Sequence, residues 1–251
     1  MNNGNYYETG ITDQFKQILG NTTEKGLVVD IGMNIGWFSL WSRAQGHTVA
    51  AFEPNPIMHT RVCESLVLNN WHEDESVKIF PYGLGGEEAT LNLTTGNNPG
   101  SSSFHEDRLA KKFRNTMPVR VVTLDSIAIQ EGWLSFDAPP IHLMKVDVEG
   151  YEPFVFRGGM ELVNSGKVEN IIMENSVTDL RQVTDFFVTI YQAGYRVKFV
   201  STVNGDAYHP EMLPQIEKEL SEATFGMDLE KVGEAIKFLA KVTCNLWWTK
   251  R

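Results

Sequence analysis

The segment Leu27-Val28-Val29-Asp30-Ile31-Gly32-Met33-Asn34-Ile35-Gly36 constrains this chain more than any other stretch. An apolar run closes on an acid, passes through a turn of small residues and enters an apolar helical pattern. That is the layout of a strand-turn-helix unit that cradles a nucleotide at the carboxyl end of a parallel strand. Glycine in such a turn lets the backbone approach a ligand with no Cβ between them. One strand further on, Ala50-Ala51-Phe52-Glu53-Pro54-Asn55-Pro56 puts a carboxylate at the end of a second apolar run. A carboxylate there can accept two hydrogen bonds from a ribose diol.

Spacing selects the nucleotide. A dinucleotide fingerprint needs G-x-G-x-x-G. Here Asn34 holds the second glycine position, Trp37 the third, and Gly36 falls one residue early. Trp37 is too bulky for the strand-helix contact that a third glycine permits. The pattern that does stand is acid-x-Gly-x-Asn-x-Gly, led by Asp30, and it is similar to the first motif of S-adenosylmethionine-dependent methyltransferases. That cofactor has no pyrophosphate and so needs no anion cradle. It carries a ribose, an amino-acid tail and a sulfonium. A glycine-rich turn with no ligand is the plainer alternative, and Asp30 with Glu53 in register weighs against it. The expected cofactor-binding residues are Asp30, Gly32, Asn34, Gly36, Glu53 and Asn55, together with Asp147.

The 251 residues suffice for one sizeable core, and no linker divides them. The expected organisation is therefore a single domain over 1–251: an N-terminal helix or cap over 1–24, a cofactor-binding core over 25–200, and C-terminal helices with a last strand over 201–251. The net charge of −10 argues against a non-specific nucleic-acid binder, which needs a basic face. The small basic cluster Lys111-Lys112-Phe113-Arg114 reads as a solvated helix face. Cys63 and Cys244 fit no metal-ligand spacing and read as small core residues. No apolar run approaches a membrane span and the N-terminus has no signal-peptide core, so no membrane partner and a cytoplasmic location are expected. The sequons at Asn21 and Asn92 carry little weight without a signal peptide.

Apolar strand-like runs alternate with helical patterns, as in a parallel sheet with crossover helices. Strands are expected at Leu27 to Ile31, Thr48 to Glu53, Val77 to Tyr82, Ile141 to Val148, Val168 to Glu174 and Tyr195 to Val200, with a last one at Lys241 to Trp248. Helices are expected at Tyr6 to Leu19, Trp37 to Gln45, Pro56 to Asn69, Thr123 to Glu131, Tyr151 to Asn164 and Asp179 to Ala193. One or two more fall within Leu213 to Leu239. After the third strand, Ala89 to Thr94 and Val119 to Val122 read as an inserted strand pair. They bracket a polar loop, Thr95 to Ser103, and His105 to Asn115 reads as a short charged helix. A polar loop of this length on such a scaffold is more often functional than neutral.

The second concentration of chemistry is His142-Leu143-Met144-Lys145-Val146-Asp147-Val148-Glu149-Gly150-Tyr151-Glu152. Its apolar strand ends in acids at the sheet edge where ligands of open α/β folds bind. Glu149 and Glu152 are also placed to favour the next helix's N-terminus. With this motif in hand, the chain resembles the FkbM-type S-adenosylmethionine-dependent methyltransferases. The resemblance rests on Val29 to Gly36, Phe52 to Pro56, Val122-Thr123-Leu124-Asp125 and Lys145 to Glu152, in that order, and Ser101-Ser102-Ser103 sits where the family tends to carry a Gly-x-Ser-Ser loop. It covers about residues 25 to 175. It implies a Rossmann-like seven-strand sheet with the last strand antiparallel, here with a small β insertion after the third strand. It also implies O-methylation of a hydroxyl on a small molecule, often a sugar or secondary metabolite.

Methyl transfer to an alcohol requires alignment of the acceptor oxygen and removal of its proton. Asp147, Glu149 and His105 are the expected catalytic candidates, with the Thr95 to His105 loop as a lid across the acceptor pocket from Asp147. Glu174 and Asn175, next to Asp147 at adjacent strand ends, form a possible oxygen-donor set for a divalent metal such as Mg²⁺. The plainer reading is that they start a turn. The alternative function is a cofactor-binding or scaffold protein that keeps the fold without catalysis. A dehydrogenase is a more distant third.

Overall fold

The computed structural model describes residues 7–20, 22, 24–96, 102–104, 115–200 and 209–250. In chain order the elements are α1 (Thr9–Leu19), β1 (Leu27–Ile31), α2 (Trp37–Ala44), β2 (Thr48–Phe52), α3 (Pro56–Leu68), β3 (Val77–Phe80), β4 (Gly83–Leu84), β5 (Ala89–Thr95), β6 (Ser102–Ser103) and β7 (Asn115–Val122). They continue with α4 (Leu124–Gln130), β8 (Ile141–Val146), α5 (Glu152–Arg157), α6 (Met160–Asn164), β9 (Asn170–Asn175), α7 (Leu180–Gln192), β10 (Tyr195–Phe199), α8 (Leu213–Glu222), α9 (Glu234–Leu239) and β11 (Cys244–Lys250).

The main sheet has seven strands in the order β10-β11-β9-β8-β1-β2-β3. Its pairings are parallel except those of β11, which runs antiparallel between β9 and β10. This is the Rossmann-like arrangement of class I methyltransferases. β1 and β8 lie at its centre with every residue buried, which is why both read as nearly continuous apolar runs.

Register is what positions the site. Ile31 stands opposite both Phe52 of β2 and Val146 of β8, and Val146 stands opposite Met173 of β9. The next residues along these strands are Gly32, Glu53, Asp147 and Glu174, so four strands deliver them to one row at the carboxyl edge of the sheet.

The inserted strands form a four-stranded sheet, β4-β7-β5-β6, rather than a single pair. β5 and β7 pair antiparallel over seven residues, and β6 adds Ser102 and Ser103 beside Thr95 and Thr94. α1 lies against the main sheet and α2. Its Ile11, Phe15 and Leu19 are buried with Val28, Phe38 and Leu143. At ~1.5–3 kcal/mol per fully buried side chain of this kind, α1 is fixed on the fold and carries Tyr7 and Glu8 to the sheet edge.

Several expectations are corrected. The single helix expected over Tyr151 to Asn164 is two, broken at Gly158 and Gly159. A Cβ on Gly158 would lie 2.0 Å from the Gly85 carbonyl oxygen, so the chain approaches the inserted sheet too closely for a continuous helix. Asp125 starts the second piece by accepting from the Glu161 and Leu162 amides at 3.0 and 2.9 Å. The acid of Val122-Thr123-Leu124-Asp125 is thus a helix cap. Cys63 is exposed on α3, whereas Cys244 is buried as expected. The helix expected at His105 to Asn115 lies outside the described residues except for Asn115, which begins β7. The Lys111 to Arg114 cluster also lies outside them. Among the described residues, no helix is long and apolar enough to cross a membrane.

Candidate active site

A cleft opens over the carboxyl edge where the four strand ends meet, with about 810 Å³ of atom-free space, part of it open to solvent. Gly32, Asn34, Glu53, Asp147, Glu149 and Glu174 all line it. Phe52, Leu84, Leu93 and Phe104 supply apolar wall, and Ser102 and Ser103 supply hydroxyls. The lining is more polar than the usual small-molecule pocket, with the carboxylates of Glu8, Glu53, Asp147, Glu149 and Glu174 set among these apolar side chains.

Glu53 is held by the two turns it connects. Its carboxylate accepts from the Asn34 amide at 3.2 Å and from the Asn55 amide at 2.9 Å, one to each oxygen. Burial pushes its carboxyl up to about 7 against the pull of those two bonds. Each carboxylate oxygen has a second lone pair for a ligand hydroxyl. Asn55 also caps α3, accepting from the Ile57 amide at 3.0 Å, and donates to Ser102 Oγ at 3.1 Å. Asn55 is therefore a buried brace rather than part of the cleft wall, and it ties the inserted sheet to the β2 turn. Ser103 Oγ donates to the Glu149 carbonyl at 3.2 Å, a second tie from the same sheet to the β8 turn.

Asp30 and Gly36 likewise sit behind the cleft. Asp30 is fully buried and accepts from Ser39 Oγ at 2.6 Å, while its other oxygen has no partner. Burial raises its pKa, with Lys145 and Ser39 pulling the other way. Gly36 caps α2 with φ +82°, where a Cβ would meet Val62 at 2.9 Å.

Lys145 is the residue that the strand pattern undervalued. It is buried within β8, its Nζ 2.9 Å from Asp147 Oδ2 and 5.1 Å from the Phe38 ring centre. Burial works against its charge, but the Asp147, Asp30 and Glu8 carboxylates outweigh that and hold its pKa above the ordinary lysine value. A lysine inside an otherwise apolar strand was the available signal, since such a residue stays buried only when paired. Glu8 and Tyr7 also line the cleft, and nothing in the periodicity announced them.

Glu174 and Asn175 part company. Neighbours on a strand face opposite sides. Glu174 lines the cleft, while Asn175 is buried and donates to the Leu239 and Val242 carbonyls at 2.8 and 3.3 Å. The joint metal set of Asp147, Glu174 and Asn175 is therefore not assembled. Among the described residues no group of three or more His, Cys, Asp and Glu could hold a metal ion. Burial pushes the Glu174 carboxyl up to about 8, reinforced by the charges of Asp147, Glu149 and Glu152. Glu152 is structural, accepting from the Val148 and Gly150 amides at 3.2 and 3.1 Å. Glu149 is exposed at the rim with φ +55°. His105 lies outside the described residues, as does most of the expected lid.

The profile of the methyltransferase FkbM domain matches residues 30–197, which contain both turns, the inserted sheet and all four strand ends. The chain belongs to the FkbM methyltransferase family. It has the family signature and the fold of S-adenosylmethionine-dependent methyltransferases. Methyltransferase sdnD of Sordaria araneosa is 29% identical over 67% of this chain and 73% of its own length. Methyltransferase 1 of Beauveria bassiana is 29% identical over 60% of this chain and 65% of its own. The hexuronic acid methyltransferase AglP of Haloferax volcanii is 27% identical over 70% of this chain and 66% of its own.

The residues present fit the cofactor that this family implies. Glu53 suits a ribose diol, and Glu8, in the cleft wall, has a buried carboxylate oxygen without a hydrogen-bond partner that suits a cationic donor. Glu53→Ala is expected to weaken S-adenosylhomocysteine binding by ~1.5–3 kcal/mol, the range for hydrogen bonds to a charged group. Calorimetry checks this, and an unchanged Kd would remove Glu53 from the ribose site.

Proposed function

We propose that this chain is an S-adenosylmethionine-dependent O-methyltransferase acting on a hydroxyl of a small molecule, such as a sugar or secondary metabolite, and that 1–251 works as one methyltransferase domain. The observation that carries this is the shared edge of β1, β2, β8 and β9. A buried acid held by two turn amides, a glycine turn, a lysine-paired acid and a high-pKa carboxyl converge there on one cleft. The hexuronic acid relative supports a carbohydrate-like acceptor.

When bound, the cofactor supplies a methyl group on a sulfonium leaving group. The chain's own part is to align the acceptor oxygen and take its proton. Glu53 and the Asn34 turn hold the ribose end, and Asp147, fixed by Lys145, orients the acceptor hydroxyl. Glu174 receives the hydroxyl proton, because a carboxyl with a pKa near the working pH suits that task. Among the acids first expected to be the base, Asp147 is already engaged by an ammonium, and Glu149 stands out in solvent.

A labelled-methyl assay across hydroxylated acceptors, with amines and carbon acids as counter-screen, tests the reading. Label should appear as a methyl ether. Transfer to nitrogen or carbon alone would overturn O-specificity. Tight S-adenosylhomocysteine binding with no transfer to any acceptor would favour the scaffold alternative.

A further inference from the structure

The cofactor site has a wall that the strand ends do not supply. Tyr7 and Glu8, just before α1, line the same cleft as Glu53 and Asp147. Several contacts fix them there. The Tyr7 carbonyl accepts from Thr12 Oγ1 at 2.8 Å, and that hydroxyl accepts from Trp37 Nε1 at 3.1 Å. The Tyr7 ring stands edge-on to Trp37 with centres 6.3 Å apart. The segment is thus tied to the first residue of α2, directly after the glycine turn.

Glu8 has φ +44° and ψ +61°, a left-handed conformation that a glutamate keeps only where its surroundings impose it. Its Oε2 is buried and has no hydrogen-bond partner. Its charge, with those of Asp30 and Asp147, acts on the buried ammonium of Lys145. Lys145 is paired with Asp147 at 2.9 Å. Burial raises the Glu8 carboxyl, with Lys145 and a Tyr7 hydrogen bond pulling the other way, so its buried Oε2 in the cleft wall stands to gain from a cation with N–H donors. Glu8 shares this cleft with Glu53, the acid suited to a ribose diol, and with Asp147.

We propose that Glu8 receives the α-ammonium of the cofactor's amino-acid tail, so that this residue ahead of α1 forms part of the cofactor site. This rests on the methyltransferase reading. Two ligands separate the two claims. S-adenosylhomocysteine carries the amino-acid tail, and 5′-methylthioadenosine shares the nucleoside but lacks the tail. In calorimetry, Glu8→Gln should bind S-adenosylhomocysteine at least ~10-fold more weakly than wild type, as expected for loss of a charge-assisted bond. Its affinity for 5′-methylthioadenosine should be unchanged, which also shows that the cleft is intact. Unchanged affinity for both ligands, or an equal loss for both, overturns the role of Glu8. A wild-type protein that binds neither overturns the cofactor site itself, and this assignment with it.

Discussion

Gly32→Val is expected to abolish S-adenosylhomocysteine binding and to lower the thermal stability of the apo protein together. The turn passes so close to the end of β8 that a Cβ on Gly32 would lie 1.9 Å from the Asp147 carbonyl oxygen and 2.9 Å from its carbon. Those are backbone atoms, so no rotamer change relieves the overlap. Gly32 also has φ +80°, where an L side chain costs ~1–2 kcal/mol. Moving the turn away would break the bonds from the Gly32 and Met33 amides to the Phe52 carbonyl, at 2.9 and 3.0 Å, and that from the Asp147 amide to the Ile31 carbonyl at 3.0 Å. A steric conflict with three such bonds belongs to the exceptional class of destabilisation, above ~4 kcal/mol. At ~2–4 °C per kcal/mol for a domain of about this size, Tm should fall by ~10 °C or more in a melt without ligand. A Tm within ~2 °C of wild type would mean that the turn has slack and that the glycine serves only the cofactor.

That expectation differs from the one the sequence invites. Read alone, Gly32 is a gap left for a ligand, and a valine there would cost binding and nothing else. The structure shows that the gap is first filled by the neighbouring strand end. The same division runs through the site. Strand ends were legible, because an acid closing an apolar run marks where a buried strand meets solvent, and Glu53, Asp147 and Glu174 follow from that rule. Register was not: the sequence puts Asp30 level with Glu53, two residues out, whereas β1 sets Asp30 opposite Ala51 and Ile31 opposite Phe52, because nothing local to the strands states which rows pair. Asp30, Asn55, Glu152 and Asp125 were visible as acids and amides at turns, but a capping or bracing group and a ligand-binding group look alike until their partners are known. Asn175 was misplaced beside Glu174 because two adjacent polar residues read as a pair, whereas the pleat sends them to opposite faces. The N-terminal helix was legible as a cap over the cofactor mouth or a helix on the rim, but Glu8 itself was not singled out, since its position depends on how α1 packs against Phe38 and Leu143.

Glu174→Gln is expected to cut turnover by ~10²–10⁴-fold, the usual contribution of a positioned proton acceptor, while leaving S-adenosylhomocysteine affinity within a few-fold of wild type. The glutamine keeps size and polarity but cannot take a proton. Its effect should therefore appear in kcat and in kcat/KM for the acceptor together, the mark of an interaction made only in the transition state. The pH profile gives a second reading. The carboxyl is raised to about 8 by burial and by the charges of Asp147, Glu149 and Glu152. Below that value it holds its proton and cannot act as base; above it the competent carboxylate accumulates. In wild type, kcat/KM should rise as pH climbs toward about 8 and level off above it, because this parameter follows the free enzyme's ionisation. In Glu174→Gln that rising limb should vanish along with most of the rate. Weakening the neighbouring field by Glu149→Gln, at the exposed rim, should shift the limb to lower pH and spare most of the maximal rate. A Glu174→Gln enzyme that keeps the wild-type limb, or that loses less than ~5-fold in kcat, would assign the proton to another group.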